Sequence, residues 1–199
     1  MKIQLAILIL CLVPVFATAQ NEEVEVPADV KPFVEKGYIP IALESGDLNG
    51  DGTKDFILVL SKPTHDRNAY DEAGDANRPT LILVRDAGGK LSLAARNDAV
   101  AFCKNCGGVM GDPFQGIAIK GTSFSVSNYG GSNERWGDDY TFGYSRRDNQ
   151  WQLTRVEETT FNALAPTNEK KRVLTPPKNF GLITFPDFNP ESFRGKGKK

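Results

Sequence analysis

From residue 38 onward, apolar residues recur mainly at every second position, in short runs separated by glycine, asparagine and proline. That is the period of strands with one face buried, and it predicts a mainly β chain built from antiparallel sheets. Residues 38–43 alternate well enough to form a first strand. FILVLSK, from Phe56, is apolar almost throughout, which predicts a strand covered on both faces. The stretch KPTHDRNAYDEAGDANRP at 62–79 is polar, flanked by proline and aperiodic, and reads as a long exposed loop. Residues 80–86, with LILV at their centre, make the next strand, and Ala87-Gly88-Gly89-Lys90 turns the chain into LSLAAR.

The second half repeats this style. Ile117 and Ile119 alternate before Lys120-Gly121, and Phe124 and Val126 alternate with serines after it, so residues 116–128 read as a hairpin. Tyr140, Phe142 and Tyr144 alternate with Thr141, Gly143 and Ser145, and RRDNQ returns the chain through Trp151 and Leu153. Helical patterns are confined to two places. ADVKPFVEKG predicts a short N-terminal helix with Asp29 as cap and Gly37 as stop, held to about two turns by Pro32. Around 158–173 a helical reading competes with a strand, and Pro166 limits it. NFGLITF is the last apolar segment.

The first residues set the compartment. Lys2 precedes the apolar run IQLAILILCLVPVF, and Ala17-Thr18-Ala19 places small residues at the cleavage positions, the layout of a secretory signal. The run is too short for the anchor reading to be favoured. A lipoprotein reading through Cys11 lacks the small residue that should precede the cysteine, where Leu10 stands. The expectation is a signal peptide at 1–19 cut near Ala19, a flexible terminus at 20–28, a single β-rich domain at 29–193 and a basic flexible tail at 194–199. The protein is then secreted or periplasmic. A formal net charge of −1 points to neither nucleic acid nor an anionic membrane as partner. With Cys11 in the signal, Cys103 and Cys106 remain, and two cysteines in an oxidising compartment predict one disulfide. Their CxxC spacing also admits a redox pair, although no βαβ pattern follows it.

The sharpest chemical pattern is GDLNGDGTKDFILVL at 46–60. Counting Asp47 as position 1, Asn49, Asp51, Thr53 and Asp55 fall at alternate positions, with Gly52 at the sixth, where the loop must turn. Hard oxygen ligands in that phase are what Ca²⁺ requires, Thr53 giving its backbone carbonyl. Position 12 is Leu58, where a helix–loop–helix calcium site needs a bidentate glutamate, so that arrangement is disfavoured. The bland alternative is an Asp/Asn/Gly turn, a common use of these residues. Without a cation, however, Asp47, Asp51 and Asp55 would repel one another beside a core strand.

Asp47, Asn49, Asp51, Gly52 and Asp55 leading into the apolar strand 56–60 resemble the calcium loops of FG-GAP and VCBS-type repeats, the blade units of integrin-alpha-like β-propellers. The resemblance covers residues 42–97. It implies calcium ligation by Asp47, Asn49, Asp51, the Thr53 carbonyl and Asp55. A closed propeller needs at least four blades, and the chain holds one clear unit and one degenerate echo, so the expected architecture is two blade-like antiparallel units, not a closed propeller. CGGVMGDPF, YGGS and RW further resemble a group of secreted bacterial proteins that carry the same upstream loop. That likeness brings no activity with it.

Other chemistry is sparse. His65 is the sole histidine and lies in the polar loop, so triads lack support. Asp112, Glu134, Asp138 and Asp139 flank Tyr129 and Trp136, a combination that a carbohydrate hydrolase using paired carboxylates would need; acids near aromatics are more often plain surface and core. Lys170-Lys171-Arg172 reads as a solvated face. NYGGSNERWGDDY is rich in residue types enriched at binding hot spots, which makes Tyr129, Glu134, Arg135 and Trp136 the candidate recognition surface. The expected function is therefore a calcium-binding, non-catalytic interaction module for protein or glycan. A carboxylate-dependent carbohydrate hydrolase and a structural envelope component are the alternatives.

Overall fold

The computed structural model describes residues 24–64 and 71–193. The expected signal peptide, His65 and the basic tail fall outside them.

Two antiparallel meanders form the sheets of the described residues. The first has four strands in chain order, β1 (Ile39–Gly46), β2 (Asp55–Ser61), β3 (Arg78–Arg85) and β4 (Leu91–Ala101). The second has five, β5 (Phe114–Lys120), β6 (Ser123–Gly131), β7 (Glu134–Ser145), β8 (Gln150–Asn162) and β9 (Ala165–Leu174). Strands that follow one another in the chain are neighbours in each sheet, so each is a meander, with short turns at most ends and a long connection, residues 62–77, between β2 and β3. Neither sheet closes into a barrel.

The alternation read from the sequence decides what each face does. Ile57, Ile82 and Val100 of the first sheet point toward Phe124, Val126, Tyr140, Phe142, Trp151, Leu153 and Val156 of the second, and these form one core. Phe56, Leu58, Leu60, Leu81 and Leu83 point the other way, where Val30 is buried with them and Val26, Phe33, Val34 and Tyr38 of the N-terminal segment pack against them. β2 is therefore buried along its whole length, as its apolar run requires.

One expectation changes, and two segments left open by the sequence are defined. The N-terminal helix is a single 3₁₀ turn, Lys31–Phe33, and Asp29 does not cap it; the Asp29 carboxylate instead takes the Arg85 guanidinium at 2.6 Å. Residues 158–173 are strands β8 and β9 joined by a tight turn, with Asn162 paired to Ala165. Cross-strand ion pairs of Lys171 with Glu157 and Arg172 with Glu158 favour that pairing. Residues 179–185 form little regular structure beyond a bridge from Thr184 to Gln152. Even so, Phe185, Phe188 and Phe193 from this final stretch are buried in the inter-sheet core. The buried Asn97 amide fastens the stretch, donating to the carbonyls of Phe185 and Phe188 at 2.8 and 2.7 Å.

Among the described residues no helix is long and apolar enough to cross a membrane.

Candidate functional site

The loop between β1 and β2 carries the calcium pattern. Gly46 pairs with Asp55, so residues 47–54 form the closed end of a hairpin. Gly50 and Gly52 have φ of +76° and +86°, left-handed values that glycine adopts without penalty, and they let the backbone coil around its own side chains. Asp47 is the hub: its carboxylate accepts from the N–H groups of Gly50, Asp51 and Gly52 at 2.8, 3.0 and 3.0 Å. Asp51 accepts from the Thr53 N–H and hydroxyl and from the Asn49 amide. Those bonds, led by the Thr53 hydroxyl and the Asn49 amide, hold its carboxyl below the usual range.

Asp55 has a different role. Its side chain is fully buried, and its two oxygens accept from the N–H of Leu48, at 2.9 Å, and of Arg85, at 3.0 Å. One carboxylate thus ties the start of the loop to its end and to β3. Burial pushes the Asp55 carboxyl up, and the charges on Asp51 and Asp47 push the same way against the two backbone donors. Of the guanidinium groups that reach the loop, Arg146 donates to the Gly50 carbonyl and Arg85 to the Lys54 carbonyl. The loop is also bolted to the second sheet, since Leu48 is buried in the core and the Trp151 indole N–H donates to its carbonyl at 3.1 Å.

Among the described residues no three His, Cys, Asp or Glu side chains converge into a ready-made metal cluster. In the loop the three carboxylates turn to hydrogen-bond donors instead. The donor set nonetheless suits a hard cation by its chemistry: every candidate ligand is an oxygen. A buried acid whose ionisation two neighbouring acids oppose is also an environment that a positive charge would relieve.

The candidate recognition residues lie at the tip of the β6–β7 hairpin, in register, with Tyr129 opposite Gly137, Gly130 opposite Trp136 and Gly131 opposite Arg135. Trp136 is not held out to solvent. It packs against the core, its ring 5.7 Å from Phe102. Tyr129 is half-buried, Glu134 is exposed and accepts from the Asn162 amide, and Arg135 keeps Nη1 buried with no hydrogen-bond partner among the described residues. The glycines here serve close packing. A Cβ on Gly130 would sit 2.5 Å from the Trp136 ring and 2.8 Å from the Gly107 carbonyl oxygen, and one on Gly108 would meet the Gly131 carbonyl at 3.2 Å. The segment that presses on the hairpin is the one closed by the Cys103–Cys106 disulfide, whose Cα atoms are 5.2 Å apart. Just beyond it Val109 and Met110 are exposed, at 81 % and 44 %.

The paired-carboxylate set is dispersed into structural bonds. Asp112 forms a two-pronged pair with Arg78, both contacts 2.6 Å, and also accepts from the Phe114 N–H. Arg78 is 2 % exposed and bonds Ser61 and the Phe102 carbonyl as well, so the pair clamps the first sheet to the disulfide segment. Asp139 takes the Ser127 hydroxyl, and Asp138 is buried.

What sequence reasoning missed is the traffic between the loop and the second sheet. Leu48 and Trp151 stand 103 residues apart, and nothing in the spacing of either marks the other as its partner.

No family model and no curated protein matches this sequence. A solved chain described as "Structure of a Xanthomonas Type IV Secretion System related protein" is similar to it at 16% identity, with a TM-score of 0.38, over 71% of this chain. The match spans 56% of that chain's length.

Proposed function

We propose that this chain is an exported, calcium-braced β domain that acts by binding protein or glycan and not by catalysis. The observation that carries the reading is the 47–55 loop. Five oxygen-bearing residues stand in calcium phase, the turn is made by two left-handed glycines, and a fully buried aspartate feels the charge of two other acids. Asp47, Asn49, Asp51, Asp55 and the Thr53 carbonyl would hold the ion, which supplies a structural positive charge. The loop's own bonds to β3 and Trp151 carry that charge's stabilising effect into the core. Without a bidentate closing acid the affinity belongs to the extracellular class, on the order of 10⁻⁴ to 10⁻³ M.

For the binding role, support comes from the hairpin tip bearing Tyr129, Glu134 and Arg135, beside the exposed Val109 and Met110. Against the hydrolase reading stands Asp112, whose carboxylate is committed to Arg78.

Thermal unfolding with calcium and with chelator tests the brace. At a calcium concentration a hundredfold above Kd the native state gains about 2.7 kcal/mol, a rise in midpoint of about 5–10 °C for a domain this size. Asp51→Ala should remove the response. A midpoint indifferent to calcium sinks the reading.

A further inference from the structure

The seam between the two sheets opens, at the end where the 47–55 loop lies, into a cavity of about 400 Å³ that the binding role above does not use. Val84 of β3 and Ala95 of β4 line one side, Tyr144 of β7 and Trp151 of β8 the other, and Asn49 belongs to the loop itself. Its size falls in the range of roughly 300–1,000 Å³ typical of small-molecule sites.

The chemistry of the lining restricts what can enter. Among the described residues, none that lines the cavity is Asp, Glu, Lys, Arg or His, although a quarter of the chain is charged. A charged ligand would lose its hydration there without finding a counter-ion, so the occupant is neutral. Tyr144 offers a half-buried aromatic face, backed by the buried Trp151 ring with centroids 4.9 Å apart and tilted by 50°, opposite an aliphatic wall. Ser92, Asn149 and Gln150 add a hydroxyl and two amides, groups that both donate and accept, while the Asn49 amide is bonded to Asp51. An occupant with C–H faces and a rim of hydroxyls, each also donor and acceptor, matches both halves of this lining.

We infer that this cavity binds a neutral carbohydrate ring, a pyranose unit of a glycan, between the Tyr144 ring, backed by Trp151, and the amides of Asn149 and Gln150.

The walls are fixed before any ligand arrives. The Trp151 indole is anchored on the Leu48 carbonyl, the Tyr144 hydroxyl donates to the Asn149 side chain, and the Asn49 amide is held by Asp51. Asn149 has φ of +52°, a left-handed value that glycine would adopt more readily. Glycine would serve the turn but remove one of the amides that line the cavity. The inference deepens the binding role by naming a ligand class, and it stands on the cavity and not on the metal.

The test is calorimetric titration of the full chain with glucose, galactose, mannose, N-acetylglucosamine and their disaccharides, with uridine and diglycine as comparators. It is run once in calcium and once in chelator. At least one saccharide should bind with a millimolar or tighter Kd. Asn149→Gly should weaken it by about tenfold, the equivalent of one lost hydrogen bond. Ala94→Arg, which fills the cavity from an exposed position, should abolish it, with the melting midpoint of both variants unchanged. Binding of no saccharide, preference for uridine or diglycine, or saccharide binding that survives Ala94→Arg overturns the inference. Saccharide binding that persists in a chain whose stability ignores calcium supports the cavity and removes the metal reading, so the two fail separately.

Discussion

Arg78 and Asp112 show how a single pair can fix the relation of two segments. The guanidinium is almost wholly buried and spends its donors on Asp112, Ser61 and Phe102. Asp112→Ala should cost about 3 kcal/mol, the lower end for breaking a buried pair, because the carboxylate end is 42 % exposed and water can reach it. Urea unfolding at constant m-value would measure this, and a loss below about 1 kcal/mol would mean the clamp is dispensable. Gly130→Ala forces a methyl against the Trp136 ring and a backbone carbonyl, and should destabilise by about 1–3 kcal/mol through overpacking. Asp148 carries a pH signature. Its hydrogen bonds from Arg147, Ser145 and Gln152 depress its carboxyl from 3.8 to about 2. The stabilisation it lends is present above 3.8 and is lost as pH falls toward about 2. Asp148→Asn should flatten that part of the acid limb of a stability profile; an unchanged limb would place the acid sensitivity elsewhere.

At the scale of elements, the hydrophobic spelling of each strand was legible where one residue type dominated. FILVLS could only be a strand covered on both sides, and it is. The loop before it was legible as a tight hairpin end because Asp, Asn and Gly recur there in a fixed phase. β9 was not, because Lys170, Lys171 and Arg172 look like a solvated face until Glu157 and Glu158 are brought opposite by the hairpin. The glycines of 130–131 fall in the stretch read as a recognition surface, and with those of 107–108 they permit two backbones to touch; a glycine's reason lies in its neighbour across space, which linear spacing does not encode. The disulfide closes a very short loop, so the chain-entropy argument gives it only about 2 kcal/mol. Replacing both cysteines by serine should lower stability by no more than that, as read by thermal melts without reductant. A loss well above it would show that the bond holds the disulfide segment against β6.

For the whole molecule, the two sheets meet in one core that neither completes alone. Tyr140, Phe142 and Phe124 of the second sheet contact Phe185 and Phe188 from the final segment, ring on ring. That segment has almost no strand pairing of its own, so its place could not be read from periodicity; only its apolar character was visible. Phe185→Ala should cost about 3–5 kcal/mol, the usual figure for a buried aromatic, despite the irregular backbone that carries it.

The late position of those three phenylalanines also sets a schedule. A ribosome adding about 5–20 residues per second finishes β9 a second or so before Phe185 and Phe193 emerge. Until then the second sheet has an open aromatic face and the native state is out of reach. A nascent chain that cannot lock early stays pliable until its last residues have been added. A version ending at residue 184 should bind a hydrophobic dye and remain protease-sensitive, caught permanently at that stage.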